Sequence, residues 1–348
     1  MNLNILKGLL ILTVIFDHND FSRGVFADFL RGMSFHVVGF LAIPFLRDAL
    51  NPVSRRAAQY VFRLYFPFLL MTLAMGAALM VLGGQPWQER VRAIAVALYS
   101  GNFYALKAAT NMGLLWYLPS FISLVLLHGV IEAQGRTGKA MLMALLVALH
   151  GVLGPVAAGI QDYVPLGLLP ALYVIPMCYL VVLCHRHLYL RLPVPAAVLL
   201  ALGSFALVKW GQMHWRLPYE LGAMEVPGFD AWPSMLVDDL EGVTGALLLF
   251  QLARLPLGKL LAAFGEVSLQ VYLVHAFIGL AIAKVLMRTS LVAHPVAILA
   301  ISLALTAAIA LAVARVVMAS PFKRYLFPRD VAELTGRTAA GSVKAARS

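Results

Sequence analysis

Lys7 and His18 stand eleven residues apart in one apolar run, residues 5–16, which exits through Asp17-His18-Asn19-Asp20. Hydrocarbon tolerates few ionisable side chains, and those it holds face a bundle interior, a cavity or a substrate. An imidazole titrates near neutrality, so His18 can take a proton from a hydroxyl and return it to a leaving group. At about 1.5 Å per residue, His18 lies some 16 Å along a helix from Lys7. Eleven residues are close to three turns, so the two share a face. Asp17 and Asn19 are sequence neighbours of His18 and, in a continuous helix, would point to other faces.

Two more histidines lie in apolar surroundings. One is His36, in Phe35-His36-Val37-Val38-Gly39-Phe40; the other is His275, nine residues after Glu266 and three after Tyr272. The spacing of three puts Tyr272 and His275 on one face. Arg55, Arg56 and Arg63 precede Leu64-Tyr65-Phe66-Pro67. They read either as a positive-inside anchor or as a phosphate site, because the planar guanidinium matches phosphate geometry. Arg63 is the best placed, since Pro67 is expected to disturb the helix just after it. Trp116-Tyr117-Leu118-Pro119 opens an apolar run and reads as an aromatic anchor at the outer interface.

Spanning helices must position these groups. The chain has 348 residues, 61% hydrophobic and 12% charged, with mean hydropathy +0.86. Soluble chains carry about 25% charged residues. Apolar runs of about 17–25 residues recur throughout, each able to cross a bilayer, and they are continuous rather than alternating as in a β-barrel. The expected fold is all-α, a polytopic membrane bundle of about ten helices at 4–20, 31–47, 62–82, 113–131, 140–159, 166–184, 194–211, 236–253, 263–287 and 294–318. Residues 1–320 form the membrane domain and 321–348 a basic tail that ends in disorder. The first run lacks a small-residue cleavage motif and reads as a retained helix rather than a signal peptide.

Segment 90–106 is apolar but short. With 83–112 as an outside excursion, Arg47, Arg55, Arg56, Arg63, Arg136, Lys139, Arg186, Arg191, Arg254 and Lys259 fall inside, with both termini. Asp17, Asp20, Asp28, Glu89, Asp162, Asp238, Asp239 and Glu241 fall outside, as do Glu220, Glu225 and Asp230 of the aromatic loop 212–235. A crossing at 90–106 would invert every later basic loop. The net charge of +11 is therefore a topology signal, and nucleic acid is not an expected partner. Cys178 and Cys184 give no disulfide framework. Cys184-His185-Arg186-His187 contains an arginine where a metal site would not, and no metal is expected. No Gly-rich nucleotide loop or nucleophile elbow is present.

In order along the chain, Leu6-Lys7-Gly8 through Asp17-His18, Phe35 to Phe40, Arg63 to Pro67, Trp116-Tyr117-Leu118 and Ser268-Leu269-Gln270-Val271-Tyr272-Leu273-Val274-His275 resemble segments of the membrane acyltransferase-3 family. The chain departs from the pattern at three places. Ala42-Ile43-Pro44 stands where Ser-Gly is usual, Tyr60 stands three before Arg63 where the family has a second arginine, and Lys7 replaces a commoner arginine. The resemblance implies about ten helices with cytoplasmic termini in a bacterial inner membrane. It also implies acyl transfer, usually acetyl, from cytoplasmic acyl-CoA (acetyl-CoA as co-substrate) to a hydroxyl of an extracytoplasmic polysaccharide or lipid-linked glycan. On that basis His18 is the expected catalytic base. Lys7, Arg55, Arg56, Arg63 and His36 are expected to bind acyl-CoA, and His275, Tyr272, Trp116 and Glu266 to line the acceptor cavity. A glycan transporter or flippase, or a non-catalytic subunit of a polysaccharide assembly, would also bury such groups.

Overall fold

The computed structural model describes residues 1–30, 35–82, 86–215, 232–328 and 330–335. Among the described residues every regular element is helical. The helices are α1 (Leu3–Asp17), α2 (Asp20–Leu30), α3 (Phe35–Ala42), α4 (Arg55–Leu82), α5 (Trp87–Ser100), α6 (Phe103–Thr110), α7 (Tyr117–Glu132) and α8 (Arg136–Ile160). They continue as α9 (Leu168–His187), α10 (Val194–Trp215), α11 (Trp232–Leu252), α12 (Lys259–Glu266), α13 (Ser268–Leu286), α14 (Pro295–Ala319), α15 (Lys323–Leu326) and α16 (Val331–Leu334).

Among the described residues, six stretches are long and apolar enough to cross a membrane: Arg55–Val81, Gly113–Glu132, Pro165–Arg191, Val194–His214, Ser268–Leu286 and Pro295–Ala319. The chain is an integral membrane protein of helical class. The span expected at 4–20 is a 15-residue helix, about 22 Å long against a hydrocarbon core of about 30 Å. The span expected at 31–47 is the 8-residue α3 followed by a 3₁₀ turn, Ile43–Leu46. The span expected at 263–287 is broken between α12 and α13, where Val267 has φ −114° and ψ 25°. α4 runs unbroken through Pro67, which only withholds an N–H from the Arg63 carbonyl. Segment 90–106 forms two short helices separated at Gly101, whose φ of 63° suits glycine.

The chain forms two compact units. The first holds residues 1–47, 146–158 and 173–316. Its α1 starts at Asn2, whose side chain accepts from the N–H groups of Asn4 and Ile5 at 2.9 and 3.3 Å, a standard N-cap. Ile5, Leu6, Leu10, Ile11, Val14 and Ile15 are all buried along it. Glycines let its neighbours approach. A Cβ on Gly8 would lie 2.0 Å from the Leu261 carbonyl oxygen, and one on Gly265 would lie 1.8 Å from that of Asn4. α1 and α12 thus touch backbone to backbone at both ends of their crossing, as small residues permit in membrane proteins. Gly39 of α3 meets Leu10, and Gly245 of α11 meets Phe35.

The second unit holds residues 48–145, 159–172 and 317–348. Asn102 caps α6 by accepting from the Ala105 N–H at 2.8 Å and donates to Asp162 at 2.7 Å. Arg90 is buried and donates to the carbonyls of Ala108 and Ala109 at 2.7 and 3.4 Å, so it closes the C-terminal end of α6.

Gly265→Val should destabilise the detergent-solubilised protein by about 1–3 kcal/mol, the usual cost of overpacking. Gly24, where an added Cβ would meet no atom within 4 Å, should tolerate alanine without loss. Thermal unfolding of both variants checks this.

Candidate active site in the first unit

The site lies where α1 stops. His18 caps the helix with φ −86° and ψ 3°, and α2 starts two residues later after Asn19, whose Oδ1 accepts from the Phe21 N–H at 3.1 Å. Asn19 also donates to Ser302 of α14 at 2.8 Å. Because the helix ends here, Asp17 and His18 are no longer held on separate faces, and the Asp17 carboxylate lies 3.6 Å from His18 Nε2. His36 Nε2 lies 3.8 Å from the same oxygen.

His275 completes the group. Its Nδ1 is 2.6 Å from the Tyr272 carbonyl, which can only accept, so Nδ1 carries a proton. A neutral His275 then presents a bare Nε2 to His18 Nδ1, 2.9 Å away, and His18 Nδ1 must donate. A neutral His18 is left with its lone pair on Nε2, beside Asp17. These tautomers are assigned from hydrogen-bond partners. The His18 and His275 rings lie 5.2 Å apart and 18° from parallel, and the His36 ring stands edge-on to His18 at 6.3 Å. His275 is 1% exposed and His36 5%, whereas the His18 and Asp17 side chains are each 19% exposed. The group is closed behind His36 and His275 and opens at His18 and Asp17.

Other expected site residues lie elsewhere. Lys7 is partly buried in α1, and Glu266 is exposed at the end of α12. Arg55, Arg56 and Arg63 are exposed on α4 of the second unit. Trp116, expected as an outer anchor, is buried there and packs on Tyr117 with rings 6.4 Å apart. Tyr272 stays beside His275, rings 5.8 Å apart. Residues 216–231 of the aromatic loop at 212–235 fall outside the described residues, as do residues 329 and 336–348 of the tail. In Cys184-His185-Arg186-His187, His185 Nδ1 accepts from Gln251 at 3.1 Å and Arg186 donates to the Phe45 carbonyl at 3.1 Å.

No family model, curated protein or solved structure matches this chain.

Sequence reasoning missed a second polar cluster in the first unit. Asp238, Asp239 and Glu241, counted with the outer acids of the span expected at 236–253, sit inside α11. Asp238 is 2% and Glu241 0% exposed, and Lys209 of α10 is 3% exposed. Lys209 lies 3.5 Å from Glu241 and donates to Gln212 at 2.6 Å, and Gln212 donates to Asp238. Asp239 turns to α8 and α9: His150 Nε2 is 2.7 Å from its Oδ2, and the Tyr173 hydroxyl donates to its Oδ1 at 3.2 Å. His150 Nδ1 donates to the Tyr173 carbonyl at 2.7 Å. The available signal was the spacing of Asp238 and Glu241, three apart and so on one helical face, with Lys209 alone in an apolar helix.

Breaking a buried ion pair from one side costs about 3–5 kcal/mol. Lys209→Met should therefore unfold the protein at markedly lower temperature, and Lys209→Met with Glu241→Gln should recover much of the loss. Thermal unfolding of the single and double variants reads the difference.

Proposed function

We propose that this protein is an integral membrane O-acyltransferase that moves an acyl group, most simply acetyl, from acyl-CoA to a hydroxyl of an extracytoplasmic glycan. One observation carries the reading: the uncommitted Nε2 of His18, turned toward Asp17 at the exposed edge of a buried imidazole group. The ordered resemblance to the acyltransferase-3 family supports it, and so does the membrane setting. About ten spans with both termini cytoplasmic is the topology that goes with this reading.

In the proposed reaction, His18 Nε2 takes the proton of the acceptor hydroxyl as its oxygen attacks the thioester carbonyl. The C–O bond forms, the C–S bond breaks, and the proton passes from His18 to the departing thiolate, giving free CoA thiol. His275 holds His18 in the tautomer that can do this, through its own bond to the Tyr272 carbonyl. The Asp17 carboxylate stabilises the imidazolium that forms beside it. Such base catalysis contributes about 10²–10⁴ in rate. Lys7, about 16 Å along α1 from His18, is the cation of that helix assigned to the CoA phosphates. The phosphate-binding role of Arg55, Arg56 and Arg63 rests on the sequence alone.

The buried charges of α10 and α11 and the break between α12 and α13 favour one rival, a glycan transporter, because ionisable groups and interrupted helices also build transport sites. Purified protein, radiolabelled acetyl-CoA and candidate glycans separate the two. The proposal expects label transfer, lost by about 10²–10⁴ in His18→Ala and reduced less in Asp17→Asn, with both variants still in the membrane. Glycan movement that needs no acetyl-CoA, or transfer undiminished in His18→Ala, would reject it.

A further inference from the structure

We infer that Asp17, His18 and His36 form a binding site for one divalent transition-metal ion, with Zn²⁺ the best chemical fit. Each residue offers one ligand atom, and the three atoms lie within 4.8 Å of one another. His18 Nε2 and His36 Nε2 stand 3.6 and 3.8 Å from one Asp17 oxygen. Zinc holds nitrogen and oxygen at about 2.0–2.2 Å in tetrahedral geometry, so its ligands sit about 3.3–3.5 Å apart. A closure of a few tenths of an ångström brings Asp17 to that spacing from each imidazole, and the two imidazole nitrogens, within 4.8 Å of each other, must also draw together.

Two features distinguish this set from a chance meeting of polar groups. First, His18 has the outer support a metal-binding imidazole uses. Its Nδ1 donates to His275, and His275 is fixed in turn by the Tyr272 carbonyl, which leaves Nε2 free to ligate. Second, His36 is 5% exposed, yet its Nδ1 has no hydrogen-bond partner among the described residues. Its Nε2 is too far from Asp17 for a hydrogen bond, at 3.8 Å. Burying an imidazole so poorly satisfied is costly; an ion at Nε2 would engage one of its two nitrogens and leave Nδ1 as the N–H donor. Two imidazoles and a carboxylate are the donor set of three-ligand zinc and non-haem iron sites, which keep an open position. Here the open position falls on the exposed side, at His18 and Asp17.

Metal binding stands independently of acyl transfer. If both hold, they exclude each other in any one molecule, because a bound ion occupies the lone pair that His18 uses as a base.

The test uses full-length protein without a polyhistidine tag, in detergent and stripped of metal. Co²⁺ is titrated as an optical probe, and Zn²⁺ affinity is read by competition with a chromogenic chelator. One equivalent should bind, with Co²⁺ visible bands of low coordination number. His36→Gln and Asp17→Asn should each weaken binding by at least about tenfold, and His275→Ala, which removes the outer support, by about 10–100-fold. His187→Ala, exposed on α9, should change nothing. Failure of the folded wild-type protein to bind one equivalent would overturn the inference. So would affinity that survives both ligand substitutions in variants whose size-exclusion profile is unchanged.

Discussion

The reciprocal backbone contact between α1 and α12 sets the geometry of the first unit. Gly8 lies under the Leu261 carbonyl and Gly265 under that of Asn4, each too close to admit a Cβ. Two such contacts fix both the separation and the crossing of the helices. α13 follows α12 after a single residue, Val267, so the position of His275 is inherited from that crossing. His18, at the far end of α1, meets it at 2.9 Å. Gly39 against the Leu10 side chain and Gly245 against that of Phe35 seat α3, and α3 brings His36. Apolar surfaces gain little by meeting each other in lipid, so close packing of small residues must do what burial does in water.

Polar groups in this setting are arranged to answer one another. The Tyr272 carbonyl commits His275, and His275 commits His18, so a chain of two hydrogen bonds delivers one uncommitted nitrogen to the open edge. In the second cluster, Lys209 faces Glu241 and, through Gln212, Asp238, while Asp239 is engaged by His150 and Tyr173. The Lys209 ammonium also stands 5.2 Å from the Phe29 ring centre. This second cluster ties α8, α9, α10 and α11 by side chains, where glycine contacts tie α1, α3 and α12.

The long apolar helices were legible in the sequence because continuous runs of that length have few other solutions. The three histidines were legible by type, since ionisable side chains are few in such runs. Asp17 was not, because its placement depends on where α1 ends, and nothing in Phe16-Asp17-His18-Asn19 dictates that end as a proline would. The break at Val267 had no such marker either, whereas Pro67, which carried one, left α4 intact. Asp238, Asp239 and Glu241 were read only as outer-side charges, and loop charge says nothing of the partners they meet inside the bundle. Their partner Lys209 lies two turns before the end of α10, where loop charge has no bearing.

Everything proposed for the site requires that His18 carry its proton on Nδ1 and keep Nε2 bare, because His275 accepts from it. Nitrogen-15 NMR of protein labelled at the histidine rings, in lipid nanodiscs and stripped of metal, probes this without intermediaries. The expected spectrum is that of a neutral His18 with Nδ1 protonated and Nε2 unprotonated. It also shows a through-bond coupling across the hydrogen bond to His275 Nε2 that vanishes in His275→Ala. A His18 protonated at Nε2, with no coupling to His275 in the folded protein, would contradict it.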